Sequence, residues 1–137
     1  MKTQKNADGK EVYMWIEYNA NPVSNRVEDC AIRAVSVALD IPWDDAFDLI
    51  ANNAKQMGSV MHSNAVFGSV LRQHGYYRRI IPNTCPDCYT IRDFCIDHPT
   101  GRFVVGTGSH VVAVINGNYV DTWDSGNEIP VYYWEEK

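Results

Sequence analysis

Nowhere in the 137 residues does an apolar run approach the roughly 18 residues that a membrane-spanning helix needs, so no membrane partner is expected. Positive charge is scarce too, with 12 Lys and Arg against 17 Asp and Glu and a net charge of −5. Nucleic-acid binding relies on clustered Lys and Arg facing phosphate, so no nucleic-acid partner is expected. The one local exception, Arg72 to Arg79 with Tyr76 and Tyr77, reads as a solvated helix end and strand start. The opening MKTQKNADGKEV lacks the apolar stretch of a secretory signal; residues 1–10 are expected to form a flexible tail, and the compartment to be the cytoplasm. Repeats, low-complexity tracts and linkers are missing, which leaves one domain over residues 11–137. The cysteines are few, Cys30, Cys85, Cys88 and Cys95, and without a secretion signal they read as thiols or ligands rather than a disulfide framework.

What the chain does carry is an ordered set of elements. Val12 to Tyr18 is rich in aromatic and branched residues and runs into the turn cluster NANPVSN, which predicts a strand and then a loop. Asp29 to Asp40 (DCAIRAVSVALD) is apolar on nearly every side except Arg33, Ser36 and the ends, which predicts a central helix buried on most of its circumference. After Pro42, one face of an amphipathic helix carries Trp43, Ala46, Phe47, Ile50, Ala51 and Ala54, and Gly58 stops it. Ser63 or Asn64 caps a third helix, with Val66, Phe67, Val70 and Leu71 inward and Gly75 just past its end. Tyr76 to Ile81 reads as a strand, and Thr90 with Asp93 caps a short helix whose inward face holds Ile91, Phe94 and Cys95. The segments RFVVGT, HVVAVI, NYVDTW and PVYYW that follow have β character. The expected class is α+β, a helical half packed on a C-terminal antiparallel sheet.

Three residues in this order suggest chemistry. A thiol is a nucleophile only as thiolate, and a helix N-terminus lowers its pKa through unpaired N–H groups and the positive end of the dipole. Cys30 stands in the first turn of the most apolar helix, directly after a polar loop; the competing explanation is a small core residue. His110 opens the strand HVVAVI after the loop GTGS, where an imidazole is held rigidly yet still faces a cleft, a setting that His62, His74 and His98 lack. Asn116-Gly117 signals a two-residue type I′ turn, which pairs Ile115 with Asn118, Val112 with Asp121 and His110 with Trp123. Asp121 then shares a face with His110 at a diagonal separation of roughly 7–8 Å, within reach of a carboxylate–imidazole hydrogen bond. A three-residue turn would slip the register by one and put Asp124 in its place. Asp29 would be an ordinary helix cap, but its charge beside Cys30 is expected to raise the thiol pKa and weaken the nucleophile.

A cysteine opening a central helix, a histidine opening a strand and Asp121-Thr122-Trp123 on the next strand together resemble the papain-like cysteine peptidase superfamily, over about residues 25 to 124. The chain is also similar to small uncharacterised cysteine-hydrolase-like proteins encoded by phages and prophages of gut bacteria. The resemblance implies a papain-like fold with Cys30 as nucleophile, His110 as general base and Asp121 as the orienting group, and Trp123 shielding their hydrogen bond. The Gln that usually precedes the cysteine and completes the oxyanion hole is missing, and Asn25 offers an amide at about the right separation. The implied activity is that of a cysteine peptidase or amidase, acyl transfer to water through a thioester, on a peptide or isopeptide bond of a peptide or protein substrate, without a cofactor. The same triad would serve an acyltransferase or transglutaminase. A catalytically silent binding protein, phage-encoded and directed at a host protein, is the reading from another class, with Trp15, Trp134, Tyr132 and Tyr133 as contact residues. Oligomeric state is left open.

Cys85-Pro-Asp-Cys88 followed by Cys95 and His98 forms a rival C-x2-C-x6-C-x2-H pattern with four nominal zinc ligands. Cys95 is better placed on the inward face of its helix, CPDC equally suits a turn, and the βαβ setting of a redox motif is absent. From the oxyanion assignment, Asn25→Ala should raise the acyl-transfer barrier by about 3–4 kcal/mol. A slowed turnover of acyl probe with an unchanged thermal midpoint checks this.

Overall fold

In the computed structural model, which describes residues 2–5, 11–24, 27–82, 84 and 86–137, the chain runs β1 (Lys2–Lys5), β2 (Glu11–Glu17), α1 (Cys30–Leu39), α2 (Trp43–Met57), α3 (Asn64–Gln73), β3 (Tyr76–Ile80), α4 (Ile91–Asp97), β4 (Arg102–Gly106), β5 (Val111–Ile115), β6 (Asn118–Asp121) and β7 (Tyr132–Glu136). The helix ends follow local chemistry. Asp40 takes a left-handed φ of 54° to close α1 ahead of Pro42, and Gly58 closes α2 at φ 63°. A full capping box starts α4: the Asp93 N–H donates to Thr90 Oγ1 at 3.2 Å, and the Thr90 N–H donates to Asp93 Oδ2 at 3.0 Å. Ser63 precedes α3 without a side-chain capping bond, and Asn64 is already the first helical residue, so neither caps in the way expected.

The sheet order is β1-β2-β6-β5-β4-β7-β3. All neighbours pair antiparallel except β2 and β6, which run parallel, so the sheet is mixed and not the antiparallel C-terminal sheet expected. The early strand β2 is held there partly by the Asp121 carbonyl, which accepts the Tyr18 N–H at 3.0 Å and Trp15 Nε1 at 3.1 Å. Residues 2–5, expected within a flexible tail, form edge strand β1, because the outer side of β2 still offers unpaired backbone donors and acceptors.

Strand alternation divides the interior into two cores. Val104 and Val111 face α1, α2 and α3, where Val35, Ile50, Val66 and Leu71 are fully buried. Phe103, Val105, Val112 and Val114 face the other way, toward Ile91, Phe94 and Cys95 of α4. The helices therefore lie on both sides of the sheet, not in one half. Each fully buried aliphatic side chain contributes roughly 1.5–3 kcal/mol. Phe47, expected inward, is 37% exposed and packs its ring 5.3 Å from Trp43.

Helix α1 is pinned at its C-terminal end. Its last carbonyls have no partners within the helix, and Arg102 supplies them: Nε donates to Ala38 O at 2.9 Å and Nη2 to Val37 O at 2.7 Å. The Tyr76 hydroxyl also donates to Ala38 O, at 2.8 Å. Within the Arg72–Arg79 segment, Tyr76 is thus core, Arg78 lies over the Tyr132 ring and Arg79 pairs with Glu135. Trp15, Tyr132 and Trp134 are 7%, 4% and 3% exposed, which removes them as contact residues for a binding partner. Among the described residues no helix is long and apolar enough to cross a membrane.

Gly68 of α3 tests the packing. A Cβ there would lie 2.7 Å from Cζ2 of Trp134, whose ring is wedged between Phe67 and Tyr132. Alanine gains about 1 kcal/mol of helix propensity, against about 1–3 kcal/mol of overpacking. Because Trp134 has no room to retreat, Gly68→Ala should be destabilising overall, read as a lower urea midpoint with an unchanged m-value.

Candidate active site

The polar loop after β2 sets the approach to α1. Asn19 Oδ1 accepts the Asn21 N–H at 3.0 Å, and Asn21 Oδ1 accepts the Val23 and Ser24 N–H groups at 2.9 and 3.0 Å. The Asn21 amide is thereby aimed at Asp29, donating to Oδ2 at 3.1 Å. Trp43 Nε1 donates to the same oxygen at 2.9 Å, and Arg33 closes an ion pair with Oδ1. Asp29 occupies the N-cap position but makes no side-chain capping bond, since its carboxylate is turned toward these three donors. Asn25 lies outside the described residues.

Cys30 is the first residue of α1 and half-buried, with its side chain toward the sheet end that carries His110. The loop before β5 is tied off by the His110 carbonyl, which accepts the Thr107 N–H at 2.8 Å, and by Thr107 Oγ1, which accepts the His110 N–H at 3.2 Å. Gly108 takes φ 101° there, a conformation that glycine adopts without steric cost. His110 therefore sits immediately before β5, as the order GTGSH requires.

The β5–β6 hairpin decides the third group. Asn116 and Gly117 have φ 50° and 78°, and the register Ile115↔Asn118 and Ala113↔Val120 is that of the two-residue turn. Asp121 is 3% exposed and receives His110 Nε2 on Oδ2 at 2.6 Å. Oδ2 also accepts the Ser125 hydroxyl at 2.7 Å, while Oδ1 accepts the Thr122 N–H at 2.8 Å and faces Arg33 Nη2 at 3.6 Å. Asp124 is engaged elsewhere, by the Tyr119 hydroxyl, the Gly126 N–H and Arg92. Between the two candidates left open by the turn, the register selects Asp121.

With Nε2 directed at the carboxylate, Nδ1 is the ring nitrogen left for the Cys30 sulfur, which lines the same cleft as the imidazole. Trp123, 43% exposed, lays its ring 4.9 Å from the imidazole. Burial pushes the Cys30 thiol up, yet the hydrogen bond to His110, the Val111 N–H and the positive charges of His110 and Arg33 outweigh it, leaving the thiol below its ordinary value. Burial pulls His110 down, and its hydrogen bonds to Asp121 and Cys30, with their negative charges, push it up to about 9. Both shifts favour a thiolate–imidazolium pair. The expectation that Asp29 would weaken the thiol is corrected: its charge is neutralised by Arg33, whose own charge acts on Cys30 in the opposite sense.

The pair borders an open cleft of about 950 Å³, lined by the start of α1, the 108–111 loop, Met61, Phe67, Trp123 and Tyr132. Arg33 and Ser125 were not assigned roles from the sequence. A lone arginine in an otherwise apolar helix was the signal for the first; Ser125, fully buried, gave none.

Among the described residues, those of the rival metal pattern are engaged elsewhere. Burial pushes the Cys95 thiol up to about 12. The His98 ring stacks on Phe94 at 3.9 Å with Nδ1 bonded to the Phe94 carbonyl at 2.9 Å. Cys88 is held in a disulfide, against the expectation of thiols or ligands, and Cys85 lies outside the described residues. Among the described residues no group of three or more His, Cys, Asp or Glu side chains is placed to hold a metal.

Fold and site together define an α+β protein with a cysteine–histidine–aspartate constellation in a cleft. No family model, curated protein or solved structure matches the chain.

Because the folded pKa of His110 lies above its ordinary 6.5, its charged form contributes stability fully below about pH 6.5 and loses it as pH rises through about 9. Asp121→Asn should lower the His110 midpoint, measured by imidazole 15N shifts, and the stability gap to the wild type should narrow above pH 9.

Proposed function

We propose that the chain is a cysteine hydrolase of papain-like arrangement, a peptidase or amidase acting on a peptide or isopeptide bond. The observation that carries this reading is a thiol at a helix N-terminus set beside an imidazole whose far nitrogen is held by a buried carboxylate, with the thiol and the imidazole on the wall of a cleft. In the reaction, the Cys30 thiolate adds to the substrate carbonyl carbon, and the Cys30 N–H, which has no acceptor within its own helix, faces the developing oxyanion. The imidazolium then passes its Nδ1 proton to the departing amine nitrogen as the C–N bond breaks, leaving a thioester and a neutral imidazole. Water adds to the thioester as His110 takes its proton, the C–S bond breaks, and acid and thiolate–imidazolium pair are regenerated. Asp121 holds Nε2 and supports the charge on the ring.

The acidic lining contributed by Glu28 and Glu128 and the apolar walls of Met61, Phe67 and Trp123 suit a peptide chain better than a polyanion. A thiol-directed acyl probe tests the reading. Labelling should map to Cys30, vanish in Cys30→Ala and slow by about 10²–10⁴ in His110→Ala at pH 6–7. Labelling that is indifferent to His110 would leave a binding protein as the better account. An amine that outcompetes water for the bound acyl group would redefine the enzyme as an acyltransferase.

A further inference from the structure

We propose that Arg33 is a positioning residue of this site: shared between Asp29 at the head of the nucleophile's helix and Asp121 on the sheet, its guanidinium fixes the carboxylate that orients His110 and keeps a positive charge beside the Cys30 sulfur. The inference rests on the hydrolase reading for the chemistry it serves, and on separate contacts for its geometry.

Arg33 follows Cys30 by three positions, so the two side chains lie on one side of α1. Its side chain is only 13% exposed, and a guanidinium withdrawn from water is costly unless it is paired. Here it is paired twice, Nη1 with Asp29 Oδ1 and Nη2 with Asp121 Oδ1 at 3.6 Å, so that one cation spans helix and sheet. Apart from the imidazole, the other donors to these carboxylates among the described residues are neutral: Asn21 and Trp43 on Asp29, Ser125 and the Thr122 N–H on Asp121.

The surroundings give the charge its importance. Around the sulfur stand Asp29 and Arg33 from α1, His110 before β5, Asp121 at the end of β6 and Tyr132 on β7, with Glu28, His62 and Glu128 along the cleft. Four of these groups are carboxylates. Against them stands the guanidinium of Arg33. Without it, among the described residues, His110 would be the one charged group favouring the thiolate against an acidic cleft, and Asp121 would keep its hydrogen bonds but lose the tie to α1.

The test is the pH dependence of Cys30 alkylation by iodoacetamide in the full chain, with the labelled residue located by mass spectrometry. Arg33→Met should move the profile to higher pH and slow alkylation at pH 6 about tenfold, the scale of losing one nearby opposite charge. Arg33→Lys, which keeps the charge, should recover most of that rate. Because Arg33→Met leaves Asp29 short of a partner, Asp29→Asn/Arg33→Met is measured beside it, with near-UV circular dichroism as the check on folding; the same upward shift is expected. A profile in the double variant that overlays the wild type overturns the proposal, as does an Arg33→Lys variant as slow as Arg33→Met. If the wild-type profile is already that of an ordinary thiol and ignores His110→Ala, the hydrolase reading itself fails; an intact His110 dependence with no response to Arg33 removes only the present inference.

Discussion

The imidazole of His110 joins the two halves of this molecule, one nitrogen toward a sulfur on the first helix and the other bonded to a carboxylate on the sheet. Such a bridge forms only if α1 and the β5–β6 hairpin are each held to within a fraction of an ångström, since a hydrogen bond weakens steeply with distance and angle. The chain meets that demand at both ends of α1. Arg102 and Tyr76 engage its last carbonyls, and Asp29, through Asn21, Trp43 and Arg33, engages its first turn. Buried ion pairs are by themselves poor sources of stability, because desolvation offsets most of the Coulomb attraction. The apolar cores on the two faces of the sheet supply the folding free energy, and the charged network spends part of it on orientation.

Among the described residues, the two free cysteines show how far environment overrides residue type. Cys95 is enclosed by Ile91, Phe94 and neighbouring core, and burial alone drives its thiol upward, which leaves it inert. Cys30 suffers the same penalty, yet a helix start, an imidazole, a backbone N–H and a guanidinium converge on it and reverse the result. The pH window of the pair follows from the two signs. On the acid side it closes as the thiolate takes up a proton, and on the alkaline side as His110 loses its own near 9.

Much of the framework was readable from local patterns. Asn116-Gly117 led correctly to the hairpin register, Thr90 with Asp93 to the capping box, and DCAIRAVSVALD to a buried helix, because each depends on contacts between residues a few positions apart. The main misreadings concern partners distant in sequence. β2 found β6 more than 100 residues away and turned an expected antiparallel sheet into a mixed one, and α4 crossed to the opposite face.

Periodicity and turn chemistry therefore determined, with no help from coordinates, that the chain is α+β, that Cys30 begins a buried helix, and that His110 and Asp121 share one side of a hairpin. These are consequences of the 3.6-residue and two-residue repeats and of the steric demands of a type I′ turn. Tertiary structure alone decided that the helix start faces the hairpin across a cleft, that Arg33 spans both carboxylates, and that the Ser125 hydroxyl bonds the carboxylate that holds the imidazole. Those outcomes depend on how faces pack in three dimensions, where burial and charge act through space and the order of residues along the chain carries no direct record of them.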